Sequence, residues 1–105
     1  MPRLSMPGDM PEEVLAAIDV IGNNVRTEIL RRLAQDALTA RDLADQIGVH
    51  VGSVHRHLVV LEQHDLVTTD VDPGKRRGQT VVWRTDTAKV DEWAQVWAGY
   101  ASGRD

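Results

Sequence analysis

The chain has 105 residues, 42% of them hydrophobic and 27% charged, with no cysteine and a formal net charge of −4. This length fits one domain with a single core, and the absence of cysteine excludes disulfides, thiolate catalysis and cysteine metal sites. The apolar runs are too short to span a membrane, and the first ten residues lack the apolar segment of a secretory signal. We therefore expect a cytoplasmic protein that does not associate with membranes.

Residues 1–10 contain three methionines and two prolines without any periodicity, which favours a mobile arm over an ordered strap across a partner subunit, before a single domain over residues 11–101. A first helix is expected to begin near Pro11 and a second one after a cap at Asn23 or Asn24. Helical spacing of the aliphatic side chains predicts the faces that these helices bury: Val14, Leu15, Ile18 and Ile21 in the first, and Val25, Ile29, Leu30 and Leu33 in the second.

Residues 39–61 predict two short helices joined by a tight turn. Thr39 is a capping residue, and Asp42 holds the position of a capping-box carboxylate. Gly48 supplies the left-handed residue that ends the first helix, and a second helix begins near His50. The apolar spacing of that second helix predicts the side chains that face the core: Val51, Val54, Leu58 and Leu61. This combination is a helix-turn-helix.

The opposite face of the second helix presents Ser53, His55 and Arg56, and residues 46–61 include no acidic side chain. A helix in the DNA major groove reads base edges with such side chains near its N-terminal end, so these three residues are candidate base contacts. Many proteins that never contact DNA also contain two short helices around a glycine turn. The hairpin that follows is therefore needed to favour DNA binding over the alternative.

Two segments rich in valine and threonine, Leu66–Val71 and Thr80–Thr85, predict the strands of a hairpin. The connecting segment contains Pro73 and Gly74, which favour a turn, and then three consecutive cations: Lys75, Arg76 and Arg77. We expect these cations, together with Thr39 and Arg41, to hold DNA phosphates, as in a wing beside a recognition helix. The alternative is a hairpin tip that is only solvated.

A last helix is expected after Thr85 or Asp86, with its aromatic and aliphatic side chains at helical spacing. Such a helix, at the end of a small domain, has little of its own subunit to cover it. An aromatic stripe of this kind is usually a core or a subunit interface. We therefore predict a dimer interface formed by residues of the first and last helices: Leu15, Ile18, Val90, Trp93, Trp97 and Tyr100.

The segments IGNNVRTEILRRLA, LTARDLADQIGVHVGSVHRHLVVLEQHDLVTT and VVWRT resemble ArsR-type bacterial repressors over about residues 16–97. The resemblance implies a mainly α winged helix-turn-helix with a small β-hairpin, and a homodimer that binds an inverted repeat in promoter DNA. It also implies that Ser53, His55 and Arg56 face the major groove. The metal-binding cysteine segment of that family is missing at Leu38–Leu43, as are Asp or His ligands on the last helix.

The first hypothesis is therefore a homodimeric, sequence-specific regulator of transcription, acting as a repressor on double-stranded DNA and using no metal or other cofactor. An enzyme is not expected, because the chain has no cysteine, no glycine-rich phosphate loop and no HExxH segment. The second hypothesis is a protein-interaction module that docks a partner through Trp93 and Trp97. A third adds to the first an unidentified small effector bound between the terminal helices.

Overall fold

A computed structural model describes residues 10–104 and shows five helices and a two-stranded antiparallel hairpin. The elements are α1 (Glu12–Ile21), α2 (Asn24–Gln35), α3 (Ala40–Ile47), α4 (Val51–Gln63), β1 (Val67–Thr69), β2 (Trp83–Thr85) and α5 (Thr87–Ala101). The mainly α class with a small hairpin is confirmed. The arm predicted over residues 1–10 lies outside the described residues except for Met10. No helix within residues 10–104 is long and apolar enough to cross a membrane.

The core lies where α2, α3 and α4 meet the hairpin. Val67 of β1 and Trp83 of β2 pack against these helices and are almost fully buried. The three helices contribute aliphatic side chains that were mostly predicted from their spacing: Ile29, Leu30, Leu33, Leu43, Ala44, Val54, Leu58 and Leu61. Burial of this apolar surface is the main favourable contribution to folding, and it fixes α4 with its other face toward solvent.

The inward face of α1 differs from the prediction. Val14 is buried as expected, but it shares the buried stripe with Ala17 and Val20, while Ile18 remains 46% exposed. Leu15 is only half-buried. The helix is apolar over more than one face, so spacing alone did not identify the stripe that packs against the domain.

The predicted caps of the helix-turn-helix are present. The Thr39 hydroxyl accepts a hydrogen bond of 3.1 Å from the Asp42 N–H at the start of α3. Gly48 ends α3 with φ +82°, and the N–H groups of Gly48 and Val49 both donate to the Ala44 carbonyl. This double contact is the usual way a left-handed residue terminates a helix, and it sets the direction in which the chain enters α4.

Replacing Gly48 with alanine should destabilise the protein by about 1–2 kcal/mol, because an L-residue at φ +82° is strained. Gly74 provides a matched control, since an added Cβ meets nothing within 4 Å at either site and only Gly48 is left-handed. Urea denaturation should therefore show a loss for Gly48→Ala and little change for Gly74→Ala. Equal effects of the two substitutions would contradict this account of the turn.

The strands of the hairpin are shorter than predicted, spanning three residues each instead of six. Val67 pairs with Thr85 and Thr69 pairs with Trp83, after which the chain leaves the ladder for a short 3₁₀ turn at Pro73–Lys75. Leu38, just before α3, forms an additional antiparallel bridge with Trp83. That bridge was not predicted, and it attaches the hairpin to the start of the helix-turn-helix.

Candidate nucleic-acid interface

One open cleft of about 580 Å³ lies between the start of α3, the exposed face of α4 and the hairpin. It is lined by Thr39, Ala40, Arg41, Val51, His55, Val59, Arg76, Gln79, Thr80, Val81 and Trp83. Four of the residues predicted to contact DNA are therefore brought together, although they come from three separate parts of the sequence. The bridge between Leu38 and Trp83 joins the hairpin to the residue just before the Thr39 cap of α3.

The first two turns of α4 carry the predicted base-reading side chains. His55 and Arg56 are exposed, and Ser53 is half-buried with its N–H bonded to the His50 carbonyl. His50 caps the helix, because its Nδ1 accepts from the Gly52 N–H at 3.0 Å. A Cβ at position 52 would lie 3.0 Å from that Nδ1 and 3.8 Å from Arg56 Nη1. The capping role of His50 was missed from the sequence.

Arg76 is not a free cation at the tip of the hairpin. Its Nη1 donates to Glu62 Oε1 at 3.0 Å, its Nη2 donates to Glu62 Oε2 and to Thr69 Oγ1, and its Nε donates to the Val71 carbonyl. The guanidinium carbon also lies 5.0 Å from the centre of the Trp83 ring. The hydrogen bond with Glu62 raises the pKa of Arg76 above its usual value. These contacts occupy most of the donors of a side chain that was predicted from the sequence to hold a phosphate.

The neighbouring cations of the hairpin tip remain available. Lys75 and Arg77 are exposed, as are Arg41 at the start of α3 and Arg56 on α4. Within residues 10–104 none of these four cations forms an ion pair. The helix-turn-helix and the hairpin therefore present four exposed cations that are not paired with an acidic side chain of residues 10–104, although the whole chain is acidic.

His57, within α4, and His64, at the C-terminal end of α4, do not line the cleft. Burial, followed by the nearby Arg26 and Arg56 charges, lowers the pKa of His57 and thus favours the neutral imidazole. His64 caps the end of α4, and its ring contacts Trp93 of α5 edge to face at 5.1 Å. In the described part of the chain, no group of three His, Asp or Glu side chains is arranged to hold a metal ion.

The outer surface of α1 and α5 contains most of the predicted dimer residues. Ile18 and Trp97, which are 46% and 49% exposed, line an apolar groove of about 300 Å³ between the two helices. Leu15 and Tyr100 are half-buried. Val90 and Trp93 were predicted at the same interface, but both pack against the core of their own protomer. α5 thus uses one face to attach to the domain and keeps Trp97 on another.

Comparison with known proteins extends this description. Residues 21–70, from the end of α1 to the end of β1, match the family model described as a helix-turn-helix domain. The HTH-type transcriptional regulator KmtR of Mycobacterium tuberculosis is 28% identical over 85 residues, which are 81% of this chain. The chain spans 62% of the length of that relative.

Several solved structures have the same fold. An ArsR-like transcriptional regulator from Rhodococcus sp. RHA1 superposes with a TM-score of 0.72 at 20% identity, covering 93% of this chain and 85% of that one. NolR from Sinorhizobium fredii superposes with a TM-score of 0.64 at 22% identity, and the match covers 97% of this chain and 95% of NolR. The homodimeric winged helix-turn-helix DNA-binding domain of Mb0332 from Mycobacterium bovis gives 0.63 at 19% identity, with 93% of each chain covered. The chain therefore has the winged helix-turn-helix fold and is similar to these ArsR-like regulators.

Proposed function

We propose that this protein is a DNA-binding regulator of transcription that acts as a homodimeric repressor, with α4 in the major groove and the hairpin on the backbone or minor groove. One observation carries the proposal. The solvent-facing side of α4 over residues 51–61, which contain no acidic side chain, and the hairpin border the same cleft, which is also lined by Thr39 and Arg41 from the start of α3. A surface of this shape and charge suits a groove edged by phosphates.

Within this proposal the side chains have separate tasks. Ser53, His55 and Arg56 read base edges, because they lie in the first two turns of α4, where a recognition helix meets the bases. Thr39 and Arg41 at the start of α3, together with Lys75 and Arg77 of the hairpin, hold phosphates. Arg76 is left out of the phosphate set, because Glu62 already neutralises its charge.

The known relatives support the same function. KmtR is described as a transcriptional regulator, and the Mycobacterium bovis structure as a homodimeric DNA-binding domain. Ile18 and Trp97 on the outer surface of α1 and α5 offer this chain an apolar surface for a second copy. A dimer would place two α4 helices on successive turns of the duplex, as an inverted repeat requires.

The proposal is tested by titrating the purified protein with random-sequence duplex DNA over a salt series, while its mass is measured by sedimentation. A dimer whose affinity falls steeply with salt is the expected result, because each phosphate contact releases counterions. Selection from a randomised duplex library would then give the operator. Absence of binding even at low salt would overturn the proposal and would leave the apolar groove of α1 and α5 as a site for another protein.

Replacing Arg56 with alanine should weaken binding to the selected operator by roughly 1–3 kcal/mol while changing binding to random duplex much less, as expected for a bidentate base contact. Arg31 of α2 is a suitable control, because its side chain is exposed and does not line the cleft. Arg31→Ala should leave both affinities unchanged. An equal loss on operator and random DNA in Arg56→Ala would assign Arg56 to a phosphate instead.

A further inference from the structure

The guanidinium of Arg76 has almost no hydrogen-bonding capacity left for DNA. Four of its five N–H groups are directed at four acceptors: both carboxylate oxygens of Glu62, the Thr69 hydroxyl and the Val71 carbonyl. One face of the group also lies over the Trp83 ring. A phosphate could form a bidentate contact with Arg76 only by displacing a partner such as Glu62, which is itself bidentate and carries the same sign of charge.

Arg76 and its partner Glu62 belong to different elements of the fold. Glu62 lies in the last turn of α4, whereas Arg76 belongs to the hairpin tip, residues 70–82. Apart from the hydrogen bond that the Thr69 hydroxyl of β1 donates to the Val71 carbonyl, the other hydrogen bonds of the tip are internal, such as those from Lys75 to Asp72 and from Gln79 to Arg76. Among the described residues, the Arg76 side chain makes the only side-chain hydrogen bonds between residues 70–82 and a helix.

We propose that Glu62 and Arg76 form a latch that fixes the hairpin tip at one distance from the recognition helix, so that Arg76 is a positioning residue for DNA binding and not a phosphate ligand. Lys75 and Arg77 are the direct neighbours of Arg76 in the chain, so the latch sets where both cations are presented. The inference rests on the proposed function for its consequence on DNA, but the latch itself exists in the free protein.

Two conservative substitutions separate the latch from simple electrostatics. Glu62→Gln removes one negative charge beside the cleft, so a purely electrostatic interface would bind DNA more tightly. Arg76→Lys keeps the charge but loses the planar fork that bonds both carboxylate oxygens and stacks on Trp83. A simple phosphate contact would survive that change. The latch instead predicts weaker binding in both variants, on the order of tenfold, as for neighbouring residues that share a network.

The matched control is the ion pair of Glu28 and Arg32 on α2, which joins the same residue types at similar exposure. Glu28→Gln changes the net charge by the same amount as Glu62→Gln, and Arg32→Lys repeats the arginine change away from the hairpin. Neither control should weaken DNA binding. Thermal denaturation of all four variants shows that each one is still folded when it is assayed.

Hydrogen–deuterium exchange of the free protein provides a measurement that does not depend on DNA. Loss of the latch should accelerate exchange at the amides of residues 70–82 in Glu62→Gln and Arg76→Lys, while amides in the buried middle of α4 stay protected as in the parent protein. Unchanged exchange over residues 70–82 would overturn the latch. Tighter DNA binding by Glu62→Gln, with parent affinity in Arg76→Lys, would overturn the positioning role. If the parent protein binds no DNA, the proposed function fails, and exchange alone decides whether the latch exists.

Discussion

Replacing Ile18 with glutamate should convert the protein from a dimer into a monomer and lower its operator affinity by roughly 10²–10⁴-fold, the range expected when two linked sites become one. Ile18 and Trp97 are the exposed apolar side chains on the outer surface of α1 and α5. A carboxylate there would be buried without a partner when two copies associate, which costs several kcal/mol. Sedimentation measures the mass, and titration with operator DNA measures the affinity.

Val59 provides the matched control for this substitution. It is also an exposed aliphatic residue on a helix, 51% accessible, but it lines the cleft beside the hairpin and not the groove of α1 and α5. Val59→Glu should keep the mass of a dimer and weaken DNA binding directly by repelling phosphates. If the parent protein is already a monomer, or if Ile18→Glu stays dimeric, then Ile18 is not in a dimer interface. That result would favour the second hypothesis, in which Trp97 contacts a different protein.

The parts of the fold that could be predicted from the sequence are those set by local chemistry. Asn23 accepts a hydrogen bond from the Arg26 N–H, Thr39 does so from Asp42, and Asp86 does so from Lys89, all within four residues of the cap. Gly48 ends α3 for a conformational reason that the residue type itself carries. Turn and cap residues therefore located the helix-turn-helix before any tertiary contact was known.

The parts that could not be predicted depend on distant contacts. The apolar residues of α1 occupy more than one face of the helix. Which of these faces is buried depends on the packing against α2 and α5, which buries Val14, Ala17 and Val20 and leaves Ile18 exposed. Trp93 was assigned to an interface because it is aromatic and near the end of the chain, whereas its contact with His64 depends on how α5 returns to α4.

Within the candidate site, the pairing of Arg76 also depends on a distant contact. In the sequence it is the middle one of three cations, and nothing in that run distinguishes it from Lys75 or Arg77. Its partner Glu62 lies 14 residues away on another element, so the pairing required the tertiary structure. The acidic residue at the end of α4 was a signal, because an acid beside a basic hairpin has a reason to be paired.

Lys75 and Arg77, the other two cations of the hairpin tip, should provide the electrostatic contribution of the tip to DNA binding. Replacing both Lys75 and Arg77 with glutamine should lower affinity for every duplex by roughly 50-fold near 0.1 M salt and should reduce the salt slope by about 1.8, because each phosphate contact contributes about 0.9. Both side chains are exposed and outside any ion pair of the described residues. The ratio of operator to random affinity should stay nearly constant, since phosphates carry no sequence information.

The control is a double substitution of Lys89, in α5, and Arg104, just after α5. Replacing both with glutamine removes one lysine and one arginine, as in the hairpin variant, and changes the net charge by the same amount. That double variant should keep the slope of the parent protein, since a general change in net charge acts only weakly across a Debye length of about 10 Å at 0.1 M salt. A smaller slope in both double variants would mean that total charge governs binding. A smaller slope in the hairpin variant alone would place its two cations on the DNA backbone.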